Sequence, residues 1–205
     1  MRFWLVLLVL LVPQWGLTQA PSKNFVPGTY ILSNGKGVRQ QGQLTLRSYD
    51  KLLVQKPDGK IIKYSPDEVT SLWLNGQHYT TAGNFIGTRV ELKKAFVILL
   101  DSGQVMLMRF NYDIPSGMEK LGMPPISHIF LLSSENQNRP TRVEYGIFLP
   151  TGQIFREAVR PYFSGRPDLT KLLDEEVITF NNLPEAIHAV NNNTPFILLE
   201  TPTKN

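Results

Sequence analysis

The chain has 205 residues, 42% apolar and 19% charged, and 21 Lys and Arg stand against 17 Asp and Glu for a formal net charge of +4. That length and apolar content suit one domain, or one domain with an appendage, and exclude a disordered chain. Cysteine is absent, which excludes disulfide scaffolds, thiolate metal sites and cysteine nucleophiles, and three histidines leave few options for acid–base or metal chemistry.

The chain opens with Met1-Arg2, a positive start, followed by ten apolar residues from Phe3 to Val12. Pro13 ends the run, and Thr18-Gln19-Ala20 places small residues at the −3 and −1 positions of a cleavage site. This is the layout of a secretory signal peptide over residues 1–20. Ten apolar residues are too few to span a bilayer, which takes about 20. The mature protein is expected to start near Pro21, exported to the periplasm or beyond, with no transmembrane anchor. It keeps 20 basic and 17 acidic residues, too small an excess to imply a nucleic-acid partner.

Residues 21–160 read as a β-rich domain. Gln43-Leu44-Thr45-Leu46-Arg47 alternates polar and apolar, the period of a half-buried strand. Leu52–Gln55 and Ile61–Tyr64 flank Lys56-Pro57-Asp58-Gly59-Lys60, in which proline and glycine supply the two special φ values of a hairpin turn. Leu72–Leu74 and His78–Thr80 flank Asn75-Gly76, the strongest two-residue hairpin signal. Between them Ser65-Pro66-Asp67-Glu68 matches a capping box and predicts a single helical turn. Ala95–Leu100 and Val105–Met108 flank Asp101-Ser102-Gly103 and are apolar at nearly every position, so they are placed at the sheet centre. Asn111–Ser127 and Ser133–Thr141 read as long loops. Gly146–Leu149 and Gln153–Arg156 around Pro150-Thr151-Gly152 read as one more hairpin.

Residues 161–205 read as a small helical region packed on the β domain. Leu169, Leu172 and Leu173 share one helical face after Pro167. Asn182 can cap a second helix with Glu185 at its third position, and Leu183, Ala186, Ile187 and Val190 then form an apolar stripe that Asn191-Asn192-Asn193 ends. Phe196–Leu199 is a last strand or a chain end that packs back on the core. The fold class expected is mainly β, an antiparallel sheet built from hairpins, closed as a barrel or stacked as a sandwich.

Pro27-Gly28-Thr29-Tyr30-Ile31-Leu32 with Asn34-Gly35, then Lys63–Val69 and Leu74–Tyr79, resembles an uncharacterised family of exported β-rich proteins of Bacteroidota. Phe96–Val105 resembles that family's apolar strand, turn and second strand, and Leu169–Asn191 its helical close. The resemblance implies a β-rich exported protein and carries over no activity and no active-site residues.

Candidate chemistry is sparse. Ser48-Tyr49-Asp50-Lys51 matches S-x-x-K, but that chemistry needs the serine at a helix start, and these residues lie in a predicted turn. His78, His128 and His188 form no close pair, so no metal or other cofactor is expected. Asp174-Glu175-Glu176 could offer half of a glycosidase carboxylate pair but reads better as a solvated loop. Trp73, Tyr64 and Tyr79 could form an aromatic platform, although aromatic residues on strands are more often cross-strand pairs. Charge is unevenly placed, with seven basic residues and two acidic between Lys36 and Lys63, and six acidic and one lysine between Asp168 and Glu200. Two solvated or mutually attracting faces explain this. The functional alternative is a binding surface of Arg47, Lys51, Lys56, Lys60 and Lys63 with Trp73 and Tyr79, for an anionic envelope polymer or another envelope protein. The expectation is a cell-envelope protein that acts by binding or assembly; the alternative is a hydrolase of envelope polysaccharide or peptide.

Overall fold

A computed structural model describes residues 25–87, 90–113, 126–135, 137–144 and 151–198. Residues 1–20, expected to be a signal peptide, the end of the expected loop after Asp113, the segment Gly146–Pro150 and Leu199 lie outside the described residues. Among those described, ten strands form one antiparallel sheet that is not closed, and three short helices follow. The strands are β1 (Val26–Leu32), β2 (Arg39–Ser48), β3 (Lys51–Gln55), β4 (Ile61–Tyr64), β5 (Val69–Leu74), β6 (Gln77–Ile86), β7 (Glu91–Asp101), β8 (Met106–Asp113), β9 (Ile126–Ser133) and β10 (Thr141–Val143). Their order is β10-β9-β8-β7-β6-β5-β1-β2-β3-β4. Every neighbour follows in sequence except one: β5 returns to the free side of β1, so the first strand sits inside the sheet.

The turns at Lys56–Lys60, Asn75-Gly76 and Asp101–Gly103 join paired strands as expected. Asn75 and Gly76 both take positive φ between β5 and β6, as a two-residue turn matched to strand twist requires. Gly59 takes positive φ between β3 and β4. The Ser65–Glu68 segment is a turn rather than a helical one. The Glu68 carboxylate accepts from the Ser65 amide and hydroxyl, both at 2.8 Å, and the Glu68 amide donates to the Ser65 carbonyl at 3.1 Å. Only one of the two capping-box contacts is made, the Glu68 carboxylate on the Ser65 amide, and β5 begins at once at Val69 and leaves no residues to propagate a helix. Asn111–Asp113, expected in a loop, extends β8, where it pairs with His128, Ser127 and Ile126.

Cross-strand register assigns side chains to faces. Tyr30, Leu44, Leu52, Leu72 and Phe96 gather on one face as a buried cluster under β1–β5. Ala82, Ala95, Val97, Met108, Phe110, Ile129 and Leu131 form a second cluster, on the opposite face in the β6–β9 half. The two halves therefore bend in opposite senses. In the first half, the tip of the β2–β3 hairpin reaches across until the Phe96 amide donates to the Tyr49 carbonyl at 2.7 Å. In the second, Arg139 reaches back to the Asn84 carbonyl at 3.0 Å and pairs with Glu91.

The back of the second half takes the helices. Val105, Leu107, Phe130, Leu132 and Val143 bury against α1 (Thr151–Val159), a 3₁₀ turn over Arg160–Phe163, α2 (Pro167–Asp174) and α3 (Leu183–Asn192). The expected hairpin around Thr151 is thus corrected: Gln153–Arg156 is helical, and the helical region starts before Pro161. Phe155, Ala158, Val159 and Tyr162 recur at helical spacing and face the core, which outweighs the four-residue strand reading. The predicted α3 stripe of Leu183, Ala186, Ile187 and Val190 is buried in the cluster that contains Val105, Leu107, Phe130, Leu132 and Val143, and α3 also meets the end of β7 at Asp101. Asn193 ends α3 in the left-handed conformation. Asn182 does not cap α3. Its amide oxygen instead accepts from the Thr179 amide at 2.7 Å, and its Nδ2 donates to the Val177 carbonyl at 3.0 Å, which closes the 3₁₀ turn Phe180–Asn182. Phe196 packs back on the core as irregular chain.

Two polar side chains fasten the helices. Asn191 of α3 accepts from the Val105 amide at 2.8 Å and donates to the Val105 carbonyl at 2.8 Å and to Asp101 at 3.0 Å. It stands in for a neighbouring strand at the β7–β8 turn. Arg166, just before α2, donates to the Ala189 carbonyl near the end of α3 at 2.7 Å and to the Thr194 carbonyl at 2.8 Å, and its fork pairs with Asp168. The Arg166 guanidinium holds the Asp168 carboxyl below its ordinary value.

Candidate functional site

The sheet has a seam. β7 and β8 pair only from Ile98 opposite Arg109 to Asp101 opposite Leu107, although β7 starts at Glu91 and β8 runs on to Asp113. Before Ile98, back to Glu91, β7 has no pairing with β8. The hairpin tip of β2 and β3 fills the start of the gap through Phe96–Tyr49 pairing, and the Tyr49 ring meets Phe110 edge-on with centroids 5.8 Å apart. The rest of the gap is a cavity of about 590 Å³.

Its walls are mostly apolar or aromatic, with Leu46, Tyr79, Leu92, Phe96, Ile98 and Phe110 prominent among them. Tyr49 and Val90 at the lining and Ile86 beside it are exposed to solvent, which gives the mouth an apolar rim. Arg109, Asn111 and Asp113 enter from one face of β8, since alternate residues of a strand point the same way. Arg109 is half-buried between its strand neighbours Ile98 and Phe130. Its Nε is buried with no hydrogen-bond partner, and among the described residues no carboxylate pairs with it. Asp113 stands four residues further along β8, about 13 Å at the rise of a strand, and does not neutralise it. The groups that feel the Arg109 charge are neutral ones. Burial raises the Tyr79 phenol above its ordinary value, against the pull of Arg109, and its hydroxyl donates to Gln77 at 2.9 Å. Burial, reinforced by Arg109, holds His128 below the usual histidine value and so uncharged at neutral pH.

The residues expected from sequence do not converge. Arg47 and Lys51 sit at the β2–β3 tip, where Arg47 lines the cavity. Lys56 and Lys60 lie beyond the other end of β3, about 17 Å away along the strand. Lys56 is partly turned inward: its Nζ donates to the Tyr30 hydroxyl at 3.1 Å, and that hydrogen bond raises the ammonium above its ordinary value. Lys63 points out from edge strand β4. The aromatic platform does not form either. Trp73 is on the outer face of the first half, stacked on His78 at 4.2 Å, with Arg39 at 4.1 Å over its ring. His78 and Arg39 belong to strands on opposite sides of β5, so the indole is sandwiched between them. Tyr64 and Tyr79 face the other way; Tyr64 pairs with Tyr30 at 5.8 Å.

The remaining candidates are structural. Ser48 and Lys51 close a hairpin turn, where the serine hydroxyl bonds the Asp50 carboxylate, so S-x-x-K has no helix to act from. His78 is held below the usual histidine value, first by burial and then by Arg39. His188 bonds Asp101 at 2.8 Å at the end of β7. No group of three His, Cys, Asp or Glu among the described residues is arranged to hold a metal. Asp174 and Glu176 pair with Arg160 and Arg156 rather than with each other. Compared with family models, curated proteins and solved structures, the chain matches none. No helix among the described residues is long and apolar enough to cross a membrane.

Proposed function

We propose that the protein is an exported component of the cell envelope that acts by binding, with the β7–β8 seam as its site. One observation carries the binding reading: a cavity of about 590 Å³ with apolar walls and an apolar rim, a volume in the range of small-molecule sites. Its lining supplies contact area and two arginines, the exposed Arg47 and the half-buried Arg109, but a single carboxylate, Asp113. The alternative, hydrolysis of envelope polysaccharide or peptide, needs a second carboxylate or a base facing Asp113 across the gap. An anionic envelope polymer as partner is the other reading, and it would use the exposed Lys60 and Lys63 of the β3–β4 hairpin.

The test is uptake of N-phenyl-1-naphthylamine, a neutral fluorophore that brightens in apolar surroundings. Wild type is expected to bind it with a micromolar midpoint. Asn111→Trp, at an exposed position on the lining, fills the gap and should weaken binding at least tenfold without lowering the unfolding temperature. Equal binding by both proteins would place the fluorophore elsewhere and remove the cavity reading. Export is tested separately by intact mass: material recovered from the periplasm or medium should start at or within a few residues of Pro21, and retained Met1 would overturn it.

A further inference from the structure

We infer that the seam cavity takes a monocarboxylate with an apolar body, its carboxylate on Arg109 and its body along the aromatic walls. The inference rests on the cavity reading above and deepens it.

An arginine is always charged, and its fork carries five N–H donors. Here Ile98 and Phe130 flank it across the strands, its Nε is buried without a partner, and the ionisable groups under its influence, Tyr79 and His128, are neutral at pH 7. Holding a cation half out of water with no counter-charge lowers stability. Five other described arginines have carboxylate partners: Arg166 has Asp168, Arg160 has Asp174, Arg156 has Glu176, Arg142 has Glu144 and Arg139 has Glu91, while Arg39 lies over the Trp73 ring. Arg109 is the half-buried arginine on the cavity wall, and an incoming anion would supply the missing partner. The planar fork fits a carboxylate in two parallel hydrogen bonds. The head group should be singly charged, because one guanidinium neutralises one charge; the second arginine on the lining, Arg47, is exposed on the hairpin tip. The body should be apolar, because Leu46, Tyr79, Leu92, Phe96 and Phe110 offer it no matching polar groups beyond the tyrosine hydroxyl. Asp113, at the far end of the face, disfavours a second carboxylate on the ligand.

The experiment is displacement of N-phenyl-1-naphthylamine by dodecanoate, methyl dodecanoate and dodecyl phosphate, with calorimetric titration of dodecanoate as a measurement that needs no fluorophore. Dodecanoate should compete at about tenfold lower concentration than the ester and better than the phosphate. Arg109→Gln should bring acid and ester together in calorimetric titration and should not lower the unfolding temperature, because Arg109 has no internal partner to lose. Arg109→Lys, which keeps the charge but not the fork, should fall between. Equal competition by acid and ester in wild type, with the fluorophore still bound, would overturn the carboxylate assignment alone. An acid preference that survives Arg109→Gln would overturn the role of Arg109. A stronger phosphate than carboxylate would overturn the singly charged head group. Loss of the fluorophore site itself, with no heat from dodecanoate, would overturn the cavity reading and this inference together.

Discussion

Ile187→Asp should lower stability by several kcal/mol, about 3–5, and unfold the protein many degrees below wild type. Ile187 is fully buried on α3, within the cluster that joins the helices to Leu107, Phe130, Leu132 and Val143. Aspartate there loses the burial of an aliphatic side chain and sets a carboxyl among apolar groups with no donor for it. Protonation limits the loss but does not cancel it. Isolated helices as short as α3 are marginal in water, so its ten residues owe their helicity to this contact. Thermal unfolding beside wild type is the measurement. Glu185→Ala on the same helix is the control: Glu185 makes no capping bond, and one of its carboxylate oxygens is buried without a partner, so its removal should cost nothing measurable. An Ile187→Asp protein that melts like wild type would mean that α3 is not part of the core.

Gly28→Val should cost about 3 kcal/mol. Gly28 lies on β1 between Gly42 of β2 and Leu74 of β5, on the face that curls inward. A Cβ there would stand 2.6 Å from the Trp73 carbonyl oxygen and 2.7 Å from Leu44 Cδ1. The first of these is backbone of the paired strand, so relief requires β1 and β5 to separate. The control is Gly35→Ala in the β1–β2 turn, where the nearest atom is 3.4 Å away and φ is not in the left-handed region. Thermal unfolding of the two variants should separate them by many degrees; equal melting would show that the glycine is not needed for the tight curl.

How far the sequence spoke depends on the distance over which each feature is made. The Asn75-Gly76 and Gly59 turns were legible because a hairpin turn is chosen by residues that touch each other. The α3 stripe was legible because four apolar residues at helical spacing admit one face. Gln153–Arg156 was misread because four residues satisfy a strand and a helix alike; carrying the count on to Val159 and Tyr162 would have shown the longer period. The β1–β5 pairing and the opposed bends join residues remote in sequence, and no local pattern encodes them. The cavity follows from those bends, which is why Arg109 went unnoticed. A signal for it existed: Arg109-Phe110-Asn111-Tyr112-Asp113 alternates polar and aromatic, which extends β8 and puts three polar residues on one face. The charge count from Lys36 to Lys63 misled in the other direction, since proximity along the chain became separation along β3.

The central position of β1 sets an order on folding. As the chain emerges, β1 to β4 can form a meander of local pairs, but one side of β1 stays open until β5 arrives. An open edge invites pairing with another chain, and the exposure lasts through the synthesis of β2, β3 and β4. The later strands, β6 to β10, pair neighbour to neighbour in chain order. Arrival of β5 on β1 is therefore the step with the greatest entropy to overcome in the sheet, and the one that slows folding. Until it occurs β7 cannot meet the hairpin tip at Tyr49, so the seam cavity is among the last parts of the molecule to take shape.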